Sequence, residues 1–169
     1  MRSALILALC GILAVVTQTT LLGRVGILPA PPNLILILVV YIALRLPSPW
    51  GALGAFLLGY LLDTVSGSVP GLHCFTMTFV FAMVYFVSGR LWMQNPFTRF
   101  AITALACILE VATLATYFAL TGDMGATGGN VLQTLMVEAS LALLIAPLSF
   151  SLLDVYIPAI ARKKIYAAE

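Results

Sequence analysis

Six apolar runs, at residues 4–22, 34–44, 50–65, 72–89, 97–120 and 131–158, fill most of this 169-residue chain, and no polar stretch between them exceeds about a dozen residues. That spacing leaves no room for a folded domain outside the runs, since independent domains need on the order of 50 residues or more. Charged residues make up 8% of the chain, against roughly 25% in globular proteins. A chain so poor in charge cannot surround a core with a solvated surface. With 62% hydrophobic residues and a mean hydropathy of +1.12 it reads as an all-α integral membrane protein, a single domain over residues 1–169.

The basic residues set the expected orientation. The second and third runs are short against the roughly 20 residues a straight span needs. They form either two thin or tilted spans or one re-entrant hairpin. With six spans and the N-terminus inside, Arg2, Arg45, Arg90, Arg99, Arg162, Lys163 and Lys164 fall on the cytoplasmic side and only Arg24 outside. Fusing the two short runs breaks this alternation, so six transmembrane helices with both termini cytoplasmic are expected. The first run continues to Leu22 with no small-x-small cleavage site and reads as an uncleaved span. Cys10, Cys74 and Cys107 lie in or beside the runs without CxxC spacing, which points to packing rather than to a disulfide or zinc framework.

The segment PNLILILVVYIALRLPSPWGALGAFLLGYLLDTVSGSVPG, from Pro32 to Gly71, carries the most local information. Asn33 can cap the second helix, with Pro32 fixing the approach. Gly67 and Gly71 permit a reversal that bulkier residues would strain. Asp63, at the end of a glycine-studded helix, can accept hydrogen bonds from backbone N–H groups of that reversal and so satisfy polar groups near lipid. On the same helix Gly51, Ala55 and Gly59 recur every four residues, leaving one face nearly bare backbone. A helix can approach that face closely, and the spacing does not choose between a helix of this chain and one of another protein. Ala4 and Ala8 make a weaker stripe on the first helix.

Four ionisable residues fall at membrane depth: Asp63, His73, Glu110 and Glu138. A charge there costs a few kcal/mol or more unless paired, protonated or wetted, so all four are expected to face the bundle interior. Two readings stay open. They line a polar cavity for a cation, protons or a small ligand, or they hydrogen-bond across helices and fix register. No intramembrane lysine or arginine is available to neutralise Glu110, which is expected to be protonated, hydrogen-bonded or facing a polar cavity. His73 either caps and packs its helix or acts as a ligand or proton acceptor. Asp154 has Arg162 or a neighbouring helix end as a partner, and the basic segment at residues 161–166 reads as a topology anchor or a contact for a cytoplasmic filament.

Enzyme chemistry is not expected. No Ser/His nucleophile pair, HExxH helix or aspartate-rich phosphatidyltransferase pattern is present. Asp63 and Asp123 suggest an aspartyl dyad like that of lipoprotein signal peptidases, but those enzymes surround their aspartates with asparagine-rich motifs and this chain has three asparagines. Asp123 sits in TGDMGATGGN, which reads as a flexible outer loop. No catalytic, cofactor-binding or metal-ligating residues and no nucleic-acid partner are expected.

PNLILILVVYIALRLP, the G-x-x-x-A-F-x-x-G helix and LLDTVSGSVPGLH together resemble the rod shape-determining membrane protein MreD family. The matching positions are Pro32, Asn33, Tyr41, Gly54, Phe56, Gly59, Asp63, Ser66, Gly67, Ser68 and Gly71, over about forty residues. The resemblance implies a non-enzymatic component of the cell-elongation (rod) complex in the bacterial inner membrane, assembling or regulating peptidoglycan synthesis to maintain cell shape. It implies as partners MreC, RodA with its class B penicillin-binding transpeptidase, MreB filaments directly or through MreC, and membrane lipid. It also implies a six-helix architecture resembling the substrate-binding subunits of vitamin uptake (ECF-type) transporters. The rival reading is therefore a small-molecule-binding subunit of such a transporter, with a pocket near Asp63, His73 and Glu138 and docking through Ala4 and Ala8. The few aromatic or polar groups in the outer loops argue against it.

Overall fold

The computed structural model describes residues 11–18, 32–46, 48–66, 69–89, 96–121 and 124–156. Among the described residues the regular structure is entirely helical: α1 (residues 11–18), α2 (Leu34–Arg45), α3 (Pro49–Ser66), α4 (Leu72–Ser88), α5 (Pro96–Thr121) and α6 (Met124–Tyr156). Arg2, Ala4, Ala8, Cys10, Arg24, Gly67, Ser68, Arg90, Asp123 and residues 161–166 lie outside the described residues.

The helix boundaries follow from local chemistry. Asn33 caps α2 by accepting the Leu36 N–H on Oδ1 (3.1 Å). Pro49 and Pro96 open α3 and α5, at the position where a missing N–H costs nothing. Ser48, just before α3, accepts the Gly51 N–H through both its carbonyl (2.9 Å) and its hydroxyl (3.4 Å). Gly71 precedes α4 with φ +91°, a left-handed conformation that a residue with a Cβ adopts only under strain.

The central element is α2. All ten residues from 35 to 44 are buried, on every side of the helix. Around it α3 and α4 pack as one antiparallel hairpin and α5 and α6 as another; α2 touches all four, and α4 also meets α5. From α1, Val15 joins the core and Gly11 lies against Leu38 and Leu58. At 12 residues α2 is about 18 Å long, well short of a roughly 30 Å hydrocarbon core. Its capped N-terminus therefore ends inside the bundle.

The outer surface is as apolar as the core. Trp50, Leu53, Leu57 and Tyr60 on α3, Phe75 and Phe86 on α4, Ile108 and Leu120 on α5, and Leu144, Leu148 and Leu152 on α6 are all exposed. Soluble monomers rarely present apolar surface so extensive. Residues Phe97–Thr121 and Gln133–Asp154 are each long and apolar enough to cross a bilayer, while the helices from α2 to α4 are shorter. This is a membrane protein.

One expectation needs correction. The stretch after Asp123, read as a flexible loop, is helical from Met124 onward, so α6 begins seven residues before the apolar run at 131. Extending an existing helix needs no new nucleus and adds a backbone hydrogen bond per residue. That offsets the roughly 1 kcal/mol that each of Gly125, Gly128 and Gly129 costs in a helix interior.

Candidate functional site

Polar groups cluster at three places in this apolar bundle. The first closes the α3–α4 hairpin. Asp63, 6% exposed near the end of α3, receives the backbone N–H groups of Gly71 (3.0 Å) and Cys74 (3.0 Å) on Oδ2 and that of His73 (2.9 Å) on Oδ1. The His73 ring meets the same Oδ1 through Nδ1 at 3.0 Å. These backbone donors belong to the turn before α4 and its first turn, where helical N–H groups have no intrahelical partner. One carboxylate thus replaces water for three N–H groups at this helix start, while the Val69 carbonyl takes that of Leu72 (3.2 Å). Cys74 also donates its thiol to the Phe56 carbonyl (3.4 Å), adding a second link between the two helices.

Small residues let the hairpin close. A Cβ placed on Gly59 would stand 2.6 Å from the His73 carbonyl oxygen and 2.7 Å from the Cys74 Cα. One on Gly51 would meet the Leu46 carbonyl oxygen at 2.4 Å and the Phe81 ring at 3.0 Å. Ala55 between them is fully buried. The Gly51, Ala55 and Gly59 face is filled from within this chain, by the start of α4, by Phe81 and by the end of α2, which leaves no room there for a helix of another protein. Gly54 is different, with nothing within 4 Å of its would-be Cβ.

The second cluster lies at the buried start of α2. Asn33 Nδ2 donates to Glu110 Oε1, and both residues are 5% exposed. The amide thus works in two directions: its oxygen caps α2 and its nitrogen holds α5. Glu138 stands half-buried on α6, near Glu110. The four residues considered for a shared cavity fall into two pairs, Asp63 with His73 in the α3–α4 hairpin and Glu110 with Glu138 in the α5–α6 hairpin. Among the described residues no three His, Cys, Asp or Glu side chains gather as a metal site. Gln18 is also buried, and its side-chain oxygen has no hydrogen-bond donor among the described residues.

The third cluster was only half visible in the sequence. Asp154 on α6 binds Arg45 at the end of α2 through two bonds (2.6 and 2.7 Å), Arg99 in the first turn of α5 (3.0 Å) and the Tyr41 hydroxyl (3.1 Å). Of the two partners considered for Asp154, it meets the neighbouring helix ends, and Arg162 lies outside the described residues. The arginine side chains are 21% and 30% exposed, so the cluster is open to its surroundings as the other two are not. Arg45 also lies 5.9 Å from the Tyr41 ring centroid, and that ring packs against Phe150 at 6.0 Å. The available signal was modest: two arginines and one aspartate, each at the end of an apolar run on the side where positive charge collects.

The register of α2 against α5 explains how two of these clusters coexist. Asn33 and Arg45 are twelve residues apart, and Arg99 and Glu110 eleven. At 1.5 Å per residue these spans are about 18 and 17 Å. Two antiparallel helices so marked meet at both ends at once, Asn33 with Glu110 and Arg45 with Arg99 through Asp154.

No curated protein and no solved structure matches this chain. A family model does: that of the rod shape-determining protein MreD, which matches residues 1–156. The match extends far beyond the forty residues of the Pro32–Gly71 segment and takes in all three polar clusters, so the chain belongs to the MreD family of rod shape-determining membrane proteins.

Proposed function

We propose that this protein is a non-enzymatic, multi-pass component of the bacterial inner membrane that assembles or regulates peptidoglycan synthesis during cell elongation. Membership of the MreD family carries the reading. The use of the acids inside the bundle supports it. Asp63 holds backbone N–H groups, Glu110 holds a helix cap and Asp154 holds two arginines, so each carboxylate serves a helix junction. MreC, RodA with its class B penicillin-binding transpeptidase, and MreB filaments reached directly or through MreC are the partners of this proposal. Six spans, cytoplasmic termini and an arrangement like that of ECF-type substrate-binding subunits belong to it too, with the Arg45, Arg99 and Asp154 cluster at the cytoplasmic face.

A mild-detergent pull-down of the tagged protein from its native membranes tests the proposal. Recovery of MreC together with the elongation synthase is the expected result. Recovery of transporter ATPases with a bound small molecule instead would overturn it.

A further inference from the structure

We infer that the last quarter of α6, from Pro147 to Asp154, is a hinged arm latched onto the bundle by the Asp154 cluster. The inference concerns motion within the chain and does not depend on which partners the protein has.

Three observations combine. First, α6 is the least enclosed of the long helices: 17% of its membrane-crossing window is buried against 33% for α5, and beyond α5 it is α2 that it packs on. Second, Pro147 stands inside the helix and is exposed. Proline has no N–H, so the Leu143 carbonyl receives no bond from position 147 and the helix lacks one rung there. Third, among the described residues three side chains hold the segment beyond that point, and one of them, Leu153, packs on the core while only partly buried. Phe150, 4% exposed, packs on Tyr41, and Asp154 takes Arg45, Arg99 and the same Tyr41. Leu148, Ser151 and Leu152 face outward.

A weakened rung followed by a segment held by two apolar side chains, Phe150 and Leu153, and one ionic point makes a hinge with a catch. The catch is partly exposed, so it can be reached from outside the bundle. The part of α6 before Pro147 is held differently, with Ala142 and Ala146 buried against the other helices. Release of Asp154 frees the arm and leaves Arg45 and Arg99 without their carboxylate. The rest of α6 stays in place.

Double electron–electron resonance on the full chain tests this, with the three native cysteines replaced. A spin label at Phe86 on α4 serves as the reference, paired with a label at Leu152 on the arm or at Leu144 before the hinge; all three positions are exposed. Asp154→Asn is expected to add a longer, broader distance population to the 86–152 pair and to leave the 86–144 pair unchanged. Adding Pro147→Ala, which restores the missing N–H, is expected to narrow the 86–152 distribution again. Should Asp154→Asn not fold, Arg99→Gln, which keeps the two Arg45 bonds, is expected to give the same broadening in smaller measure. An unchanged 86–152 distribution in whichever of these variants folds, or an equal change in both pairs, would overturn the hinge.

Discussion

Two aspartates, Asp63 and Asp154, each tie parts of this bundle together, and they do so by different physics. The donors to Asp63 are mainly backbone N–H groups eight to eleven residues along the chain, already aligned by the start of α4. No long side chain has to be ordered to form those bonds, and the loop they close is short. The donors to Asp154 are two arginines and a tyrosine 55 to 113 residues away, on α5 and α2. Holding an arginine in one rotamer costs conformational entropy, and partial exposure screens the attraction. The α3–α4 junction is thus a fixed weld, sealed by glycine packing, whereas the end of α6 is fastened by bonds that water and competing charges can reach. Three backbone donors on one buried carboxylate make a stronger joint than three side chains on a partly exposed one.

The contrast can be broken most directly at the weld. Gly59→Leu forces α3 away from the α4 backbone and is expected to destabilise by about 4 kcal/mol or more, seen as loss of the monodisperse peak in detergent chromatography. Asp63→Leu strands three backbone N–H groups and is expected to cost about 3 kcal/mol or more. Asp63→Asn keeps one acceptor oxygen and is expected to retain most of the folded protein; equal membrane levels for the two variants would sink the hairpin-lock role of Asp63. Both oxygens of Asp63 accept backbone bonds, so the amide is not silent, at about 1–2 kcal/mol.

The Asn33–Glu110 bond sharpens the comparison from the other side, because it is a side-chain joint that is fully buried. Glu110→Leu leaves the Asn33 amide without its acceptor and is expected to cost about 1–3 kcal/mol in thermal unfolding. Glu110→Gln keeps an acceptor oxygen and is expected to be nearly silent, both in stability and in a cell-shape complementation assay. A loss of rod shape with Glu110→Gln would show that the carboxyl's charge or proton is needed. The smallest effect belongs to Gly54→Ala. That position meets nothing within 4 Å, so helix propensity alone acts and the change is expected to stabilise by about 0.5–1 kcal/mol. Destabilisation there instead would reveal a close neighbour on the open face of α3.

How legible the joints were in the sequence follows the same division. The roles of Asn33 as a cap and of Asp63 as an acceptor for the following reversal could be read because donor and acceptor lie in one short segment. The pairing of Asn33 with Glu110 could not, since 77 residues separate them and several helix arrangements would satisfy either one. The same holds for Asp154, whose arginines were visible as topology markers but not as its ligands. Gly51, Ala55 and Gly59 announced a close approach without naming the visitor, and Phe81 and Cys74 carry no mark in the sequence that identifies them.

By itself, then, the sequence determined that the chain lives in a membrane, that it is helical, where the helices of the Pro32–Gly71 segment begin and end, and which family it resembles. Those properties depend on composition, run length and local hydrogen bonding, which neighbouring residues already contain. Only the tertiary structure decided that α2 is the enclosed centre, that α4 fills the glycine face, and that Asn33 and Arg45 meet Glu110 and Asp154 at the two ends of α2. Apolar helices in lipid are nearly interchangeable in their outward faces. The choice among packings therefore falls to a few close backbone approaches and a few buried polar pairs, which exist only once distant segments have met.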